Sequence, residues 1–176
     1  MNLKLVFGTM LIVMAGMAKA QVNSNVKLYG YIQPVVPGII AKGDIDESGR
    51  LIKKKSDGVM NNYRIYITAP NSYRLYPIAI WIKGSPYAAR AEVVTNTPVV
   101  AINNTIPSHP QTTTLVPQTN QKVWQITPLP PIESKLAAKA KAMAQSNELV
   151  VSYKLNGKYY YAALEKLSLL ASEARQ

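Results

Sequence analysis

The sequence predicts an α+β fold that is mainly antiparallel β, either a sandwich or a partly open barrel, with two helices at the C-terminal end. Three observations predict it. Aliphatic and polar residues alternate at strand spacing through the middle of the chain, and an Asn-Gly turn joins two further strand-like runs near its end. Two C-terminal segments repeat apolar residues at helical spacing.

The first 20 residues are a predicted secretory signal peptide. A charged start, MNLK, precedes an apolar run from Leu5 to Met17, and AKA ends at Ala20, where cleavage is expected. The run is shorter than the roughly 20 apolar residues that span a bilayer, so a cleaved signal is favoured over a membrane anchor. We therefore expect an exported protein, periplasmic or extracellular, with one domain over residues 21–176.

Charge and cysteine content restrict the function classes. The chain has 20 basic and nine acidic residues, and two of the lysines lie in the predicted signal, so the remaining chain carries +9. Such a charge favours anionic partners. With no cysteine, the chain has no disulfide, thiolate nucleophile or cysteine metal ligand.

The N-terminal half predicts four strands. VKLYGYIQPVVPGII begins at Val26, and Pro34 and Pro37 mark it as an edge strand. YRIYITAP, PIAIWIKG and AARAEVV then alternate, which predicts an antiparallel meander with one buried face. The alternation places these residues together on one face of their strands: Tyr63, Ile65, Ile67, Ile78, Ile80, Ile82, Ala89, Ala91 and Val93.

Residues 103–121 are a predicted long surface loop rich in Pro, Thr and Gln. A loop of that length is usually functional or disordered, and the sequence does not decide between these two interpretations. A third possibility is that the segment forms extended strand pairs that its residue pattern does not indicate. KVWQITPL follows it as a predicted strand.

The C-terminal third predicts two helices around a hairpin. PPIESKLAAKAKAMAQSN starts at two prolines and repeats Leu136, Ala140 and Met143 on one stripe. The last segment, residues 164–176, repeats leucines at helical spacing. Between them, Asn156-Gly157 predicts a two-residue turn. The expected cross-strand pairs are Leu155 with Lys158, Tyr153 with Tyr160, Val151 with Ala162 and Leu149 with Leu164, and the opposite face carries Lys154, Tyr159, Ser152 and Tyr161.

No motif indicates catalysis or a cofactor. Asp44, Asp46 and Ser48 resemble the first half of a calcium loop, but residues 53–55 are lysines that repel a divalent cation, so a polar turn is favoured and no metal site is predicted. His109 is the only histidine. The sequence contains neither a phosphate-binding glycine loop nor a dinucleotide fingerprint, so we expect no enzyme activity and no cofactor.

Rings and cations interleave between Asn61 and Val94. This pattern predicts a basic, Tyr/Trp-rich sheet face that attaches to an anionic glycan, membrane surface or protein of the cell envelope. The candidate ligand-binding residues are Arg64, Tyr66, Arg74, Tyr76, Trp81, Lys83, Tyr87 and Arg90. The simpler alternative is that these residues only cover a solvent-facing strand surface.

Export makes nucleic acid an unexpected physiological partner. Two other function classes stay open. One is a structural or assembly subunit that pairs strand edges, with residues 34–37 and the long loop as its docking edge. The other is a hydrolase whose residues are dispersed in the sequence.

Overall fold

The computed structural model describes residues 25–37, 48, 60–103, 111–132 and 138–175. The predicted signal peptide, the lysines of the calcium-like segment and His109 lie outside these residues. The elements are β1 (Lys27–Pro37), β2 (Met60–Ala69), β3 (Leu75–Ile82), β4 (Ser85–Val94), β5 (Val99–Asn103), β6 (Gln111–Val116), β7 (Lys122–Pro131), α1 (Ala138–Ser146), β8 (Leu149–Leu155), β9 (Lys158–Leu164), β10 (Ser168–Leu169) and β11 (Glu173–Arg175).

Nine strands form one curled sheet, in the order β10-β1-β2-β7-β4-β3-β8-β9, with β11 also beside β1. All pairings are antiparallel except those of β10 and β11 with β1. The remaining two strands, β5 and β6, form a separate ribbon. The prediction of a mainly antiparallel β fold is confirmed, and the sheet has the shape of a half-barrel.

The curl is imposed where the two ends of the sheet meet. β9 and β10 lie at opposite ends of the strand order, yet only residues 165–167 join them. Gly30 of β1 accordingly faces β8 and β9: a Cβ at this position would lie 2.6 Å from Leu149, 2.7 Å from Leu167 and 3.0 Å from Leu164. A side chain at this position would force these leucine methyl groups aside, so glycine favours the close approach of the two ends.

The prediction that β1 is an edge strand is wrong. β2 pairs with one side of β1, while β10 and β11 pair with Tyr31–Ile32 and Val35–Pro37 on the other. The interruption between β10 and β11 lies opposite Gln33 and Pro34. Proline has no N–H to donate, so the strand pairing on this side of β1 is interrupted at Pro34.

The predicted helix over residues 164–176 is wrong, because this segment forms β10 and β11. Its leucines have helical spacing but are buried in different places. Leu167 packs into the core inside the curl, whereas Leu170 packs on the outer side of the sheet with Tyr66 and Leu115. An extended chain at the place where the two ends of the sheet meet can bury one leucine on the inner side of the sheet and the next on the outer side. A helix with a single apolar stripe would bury both leucines on the same side.

The prediction of a single buried face is also wrong. The inner face of the curl carries the main core, with Ile65, Ile80 and Val151 among its fully buried residues. The outer face is covered twice: the β5–β6 ribbon packs Leu115 and Val116 over Tyr66, and α1 packs Ala140 and Ala144 over Trp81. Residues 65–69 of β2 and 79–82 of β3 are therefore buried on both faces.

The predicted loop over residues 103–121 contains a strand. Residues 111–116 form β6, and the prediction is wrong for them; residues 104–110 lie outside the described part. Thr113 and Thr114 pair with β5, and Leu115 is the extra residue at a bulge before Val116, where it is fully buried. The extended pairing that the sequence left open is the arrangement present.

The two remaining C-terminal predictions are confirmed wholly or in part. β8 and β9 have the four predicted cross-strand pairs around Asn156-Gly157. The helix exists as α1, with Ala140 buried and Met143 half-buried, but Pro130 and Pro131 end β7 instead of starting the helix. Within the described part of the chain, no helix is long and apolar enough to cross a membrane.

Tyr153 carries an uncompensated hydroxyl inside the curl. The residue is fully buried, its ring stacks on Tyr160 at 5.9 Å, and its hydroxyl has no hydrogen-bond partner among the described residues. A buried polar group without a partner costs about 1–3 kcal/mol. Tyr153→Phe keeps the ring and removes that group, so we expect the free energy of unfolding to rise by about 1 kcal/mol, measured by urea denaturation at neutral pH.

The same variant has a pH signature. Burial, and secondarily Tyr160, raises the pKa of Tyr153 to about 12. An unfolded tyrosine loses its proton near pH 10, so the folded state loses stability between about pH 10 and pH 12, where only the unfolded state has released the proton. The advantage of Tyr153→Phe should widen as pH rises above about 10. A variant that is less stable than the wild type at neutral pH would show that the hydroxyl has a partner.

Candidate functional site: a basic tyrosine patch

The structure does not bring the eight predicted ligand-binding residues together on one face. Tyr66 and Trp81 are only 3% and 4% exposed, because the β5–β6 ribbon and α1 cover them. Tyr87 packs against the core on the inner face of the sheet. The predicted continuous basic and aromatic face is therefore wrong for these three rings.

Arg64 and Arg90 have partners. The Nε of Arg64 donates to Gln33 at 3.0 Å, and its Nη2 lies 4.0 Å from a carboxylate oxygen of Glu173. Gln33 in turn donates to the Ala171 carbonyl, so Arg64 helps to hold β11 beside β1. Arg90 forms an exposed ion pair with Glu92 at 3.0 Å. These two arginines are already engaged within the protein.

Arg74 and Tyr76 lie in a different environment, at the end of the sheet near the Asn156-Gly157 turn. Tyr76 pairs with Lys154 on β8, and Lys154 pairs with Tyr159 on β9. The Lys154 ammonium lies 5.7 Å from the centre of the Tyr159 ring. We define the basic tyrosine patch as Arg74, Tyr76, Lys154 and Tyr159, all of them exposed; Lys158 pairs with Leu155 and belongs to the other face of the hairpin.

A bulge in β3 turns Tyr76 outward. Pro77 pairs with Tyr153 and Ala79 with Ser152, so Ile78 is an extra residue between them. Strict alternation would place Tyr76 on the inner face with Ile80, and one inserted residue reverses that. The buried Ser152 hydroxyl fixes this stretch, since it accepts from the Ala79 N–H at 3.1 Å and donates to the Ala79 carbonyl at 3.2 Å.

The hairpin turn places the other residues of the patch. Asn156 and Gly157 have φ values of 48° and 85°, as a two-residue hairpin turn with positive φ at both positions requires. The turn fixes the register that sets Lys154 beside Tyr159 and starts β9 at Lys158. Tyr76 and Tyr159 are 61% and 67% exposed, and their strands lie two spacings apart, about 10 Å.

The charge of the patch is uncompensated. Within the described residues, Arg74 and Lys154 form no ion pair. Glu148 and Glu165 lie at the other ends of β8 and β9, roughly 20 Å along the strands from Lys154 and Lys158. Two cations beside two exposed rings are suited to an anionic group that is attached to a ring-shaped molecule.

The sequence analysis placed Arg74 and Tyr76 in the site but left out Lys154 and Tyr159. Part of the signal was present, because the outer face of the predicted hairpin carries Lys154 and Tyr159. Strand order was missing: nothing in the sequence shows that β8 lies beside β3. In the described ranges, no three acidic or histidine side chains lie close enough together to hold a metal ion.

Trp81 and Lys83, the last two predicted residues, lie at a cleft beneath α1, at the other end of β8. No family model, curated protein or solved structure matches the chain.

Proposed function

We propose that this protein is an exported, non-catalytic binding module that attaches to an anionic glycan of the cell envelope through the basic tyrosine patch. One observation carries the proposal: Tyr76, Lys154 and Tyr159 form an exposed row across three adjacent strands. The +9 charge expected for the exported chain would concentrate anionic polymers at its surface.

The row fits a sugar polymer better than a flat lipid surface. Tyrosine rings offer flat apolar faces to sugar rings, and the spacing of about 10 Å between the Tyr76 and Tyr159 strands is comparable to the length of a disaccharide. The lysine between the rings would bind a carboxylate or phosphate on the same molecule. Insertion into a bilayer surface needs several apolar side chains, and the patch offers only two rings with polar tips.

The assembly alternative loses the docking edge that the sequence suggested. β11 pairs with Val35–Pro37, so this side of β1 is already occupied. The hydrolase alternative gains no support from a cluster of acidic or histidine side chains, since no three of them lie together among the described residues.

The patch predicts a specific loss of binding. We expect the double variant Lys154→Gln/Tyr159→Ser to bind isolated acidic polysaccharides at least tenfold more weakly than the wild type, because it removes one cation and one stacking ring. Binding should also weaken steeply as salt rises. Co-sedimentation with envelope fractions and purified glycans across a salt titration measures both effects.

Lys166→Gln is the matched control, because it removes an exposed lysine outside the patch. It should change the affinity less than twofold. Equal losses of affinity in both variants would mean that binding depends only on net charge. Binding that does not weaken as salt rises would contradict an electrostatic attachment. Thermal melting of each variant verifies that the fold is intact.

A further inference from the structure

A cleft of about 850 Å³ opens between α1 and the turn that joins β3 to β4. The last turns of α1 and the ends of β8 and β9 complete its walls. This volume lies in the range of about 300–1,000 Å³ that is typical of small-molecule sites. The cleft and the basic tyrosine patch lie at opposite ends of β8, so the two surfaces are separate.

The walls of the cleft are tied together by backbone hydrogen bonds. Lys83 donates its N–H to the Glu148 carbonyl at 2.8 Å, and Glu148 donates its own to the Glu165 carbonyl at 3.1 Å. Lys83 and Gly84 form a tight turn with φ values of 49° and 81°. The shape of the cleft is therefore set before any ligand binds, which lowers the entropic cost of binding.

The floor of the cleft is apolar and its rim is charged. Trp81 and Ala144 line it and are themselves buried in the packing of α1 on the sheet. Four charged side chains surround them: Lys83, Lys141, Glu148 and Glu165. Glu148 is engaged, because its Oε2 accepts the Leu167 N–H at 2.8 Å.

The other three charges are not paired with an opposite charge among the described residues. Within the described part of the chain, the side chains of Lys83, Lys141 and Glu165 form no ion pair. Charges of both signs are thus available around one cleft, in contrast to the purely cationic patch. The last turn of α1 adds carbonyl oxygens that have no partner within the helix and carry its partial negative charge; that of Met143 already accepts from the Asn147 Nδ2 at 2.8 Å, and those of Ala144, Gln145 and Ser146 lie at the cleft.

We propose that this cleft binds a free amino acid or short peptide whose ammonium and carboxylate groups are both uncapped. Glu165 and the carbonyls that end α1 bind the ammonium group. Lys83 and Lys141 bind the carboxylate, and the apolar part of the ligand lies against the half-buried Pro86, which lines the same cleft. This inference does not depend on attachment through the basic tyrosine patch.

Isothermal titration calorimetry of the purified protein with di-, tri- and tetra-alanine tests the proposal. At least one of these peptides should bind, and acetylating its N-terminus or amidating its C-terminus should weaken binding at least tenfold. Glu165→Gln should abolish discrimination against the acetylated peptide. Lys83→Gln/Lys141→Gln should abolish discrimination against the amidated one.

Lys166→Gln and Glu92→Gln are the controls, since each removes an exposed charge outside the cleft. Both should retain the wild-type affinity and both discriminations. The proposal is overturned if no uncapped alanine peptide releases or absorbs heat, if capped peptides bind as well as free ones, or if Glu165→Gln retains full discrimination. A melting curve for each variant separates loss of binding from loss of fold.

Discussion

Gly30→Val is expected to lower the free energy of unfolding by about 3 kcal/mol, because it places side-chain atoms where the two ends of the sheet meet. Even the first added carbon would lie within 3.0 Å of Leu149, Leu164 and Leu167. Leu149 is fully buried and Leu167 is 8% exposed, so neither side chain can turn away into solvent. Guanidinium denaturation of the wild type and the variant measures the loss.

A double-mutant cycle shows whether the loss arises at this contact. In a Leu167→Ala background one of the two closest obstacles is gone, so Gly30→Ala should destabilise that protein less than it destabilises the wild type. Additive effects would mean that β1 and residue 167 do not touch. That result would contradict the closure of the curl.

Leu115→Ala is expected to lower the free energy of unfolding by about 3 kcal/mol, the usual range for a large aliphatic residue removed from a core. Leu115 belongs to the β5–β6 ribbon, and its side chain is fully buried between the ribbon and the sheet. Its carbonyl accepts a hydrogen bond from the Tyr31 hydroxyl at 2.7 Å. If residues 103–121 were the surface loop that their composition predicts, the same change would cost about 0.5 kcal/mol or less. Urea denaturation distinguishes these outcomes.

Thr114→Ala is the matched control for this prediction. Thr114 is the exposed neighbour of Leu115 on β6, so its loss should change stability by no more than about 0.5 kcal/mol. Similar small losses at both positions would show that the ribbon does not pack on the outer face of β2.

Local chemistry predicted the β8–β9 hairpin down to its register. Asn156-Gly157 adopts positive φ readily, the flanking residues alternate, and the partner strand is only two residues away. Each of these signals acts within about 16 residues of chain, and none depends on the rest of the molecule. The strand character of β2, β3 and β4 was predicted for the same reason.

Predictions about burial failed where distant segments compete for the same surface. The alternation in β2 marks Tyr66 as outward, but only the placement of Leu115 and Leu170 shows that outward is still buried. The spacing of Leu164, Leu167 and Leu170 fits a helix equally well, and β1 decides against it by offering an unpaired side to β10 and β11. Periodicity shows that apolar residues recur at a regular spacing, but it does not show which part of the molecule those residues face.

The candidate site likewise has one part that the sequence predicts and another that only the tertiary structure shows. The sequence supplied the residue types, cations beside tyrosines, and it placed Arg74 and Tyr76 among them. Assembly of the basic tyrosine patch required a bulge at Ile78 and the pairing of β3 with β8, a strand more than 60 residues later in the chain. Neither feature leaves a local signal.

The sequence by itself determined the basic charge, the absence of cysteine, the β-rich class and the β8–β9 register, since each follows from composition or from interactions between near neighbours. The tertiary structure alone decided the strand order, the closure at Gly30, the two covers on the outer face and the surfaces left open beside Tyr159 and Trp81. These depend on contacts between residues far apart in the chain, whose free energy is set by shape and burial in the folded molecule and not by the local sequence.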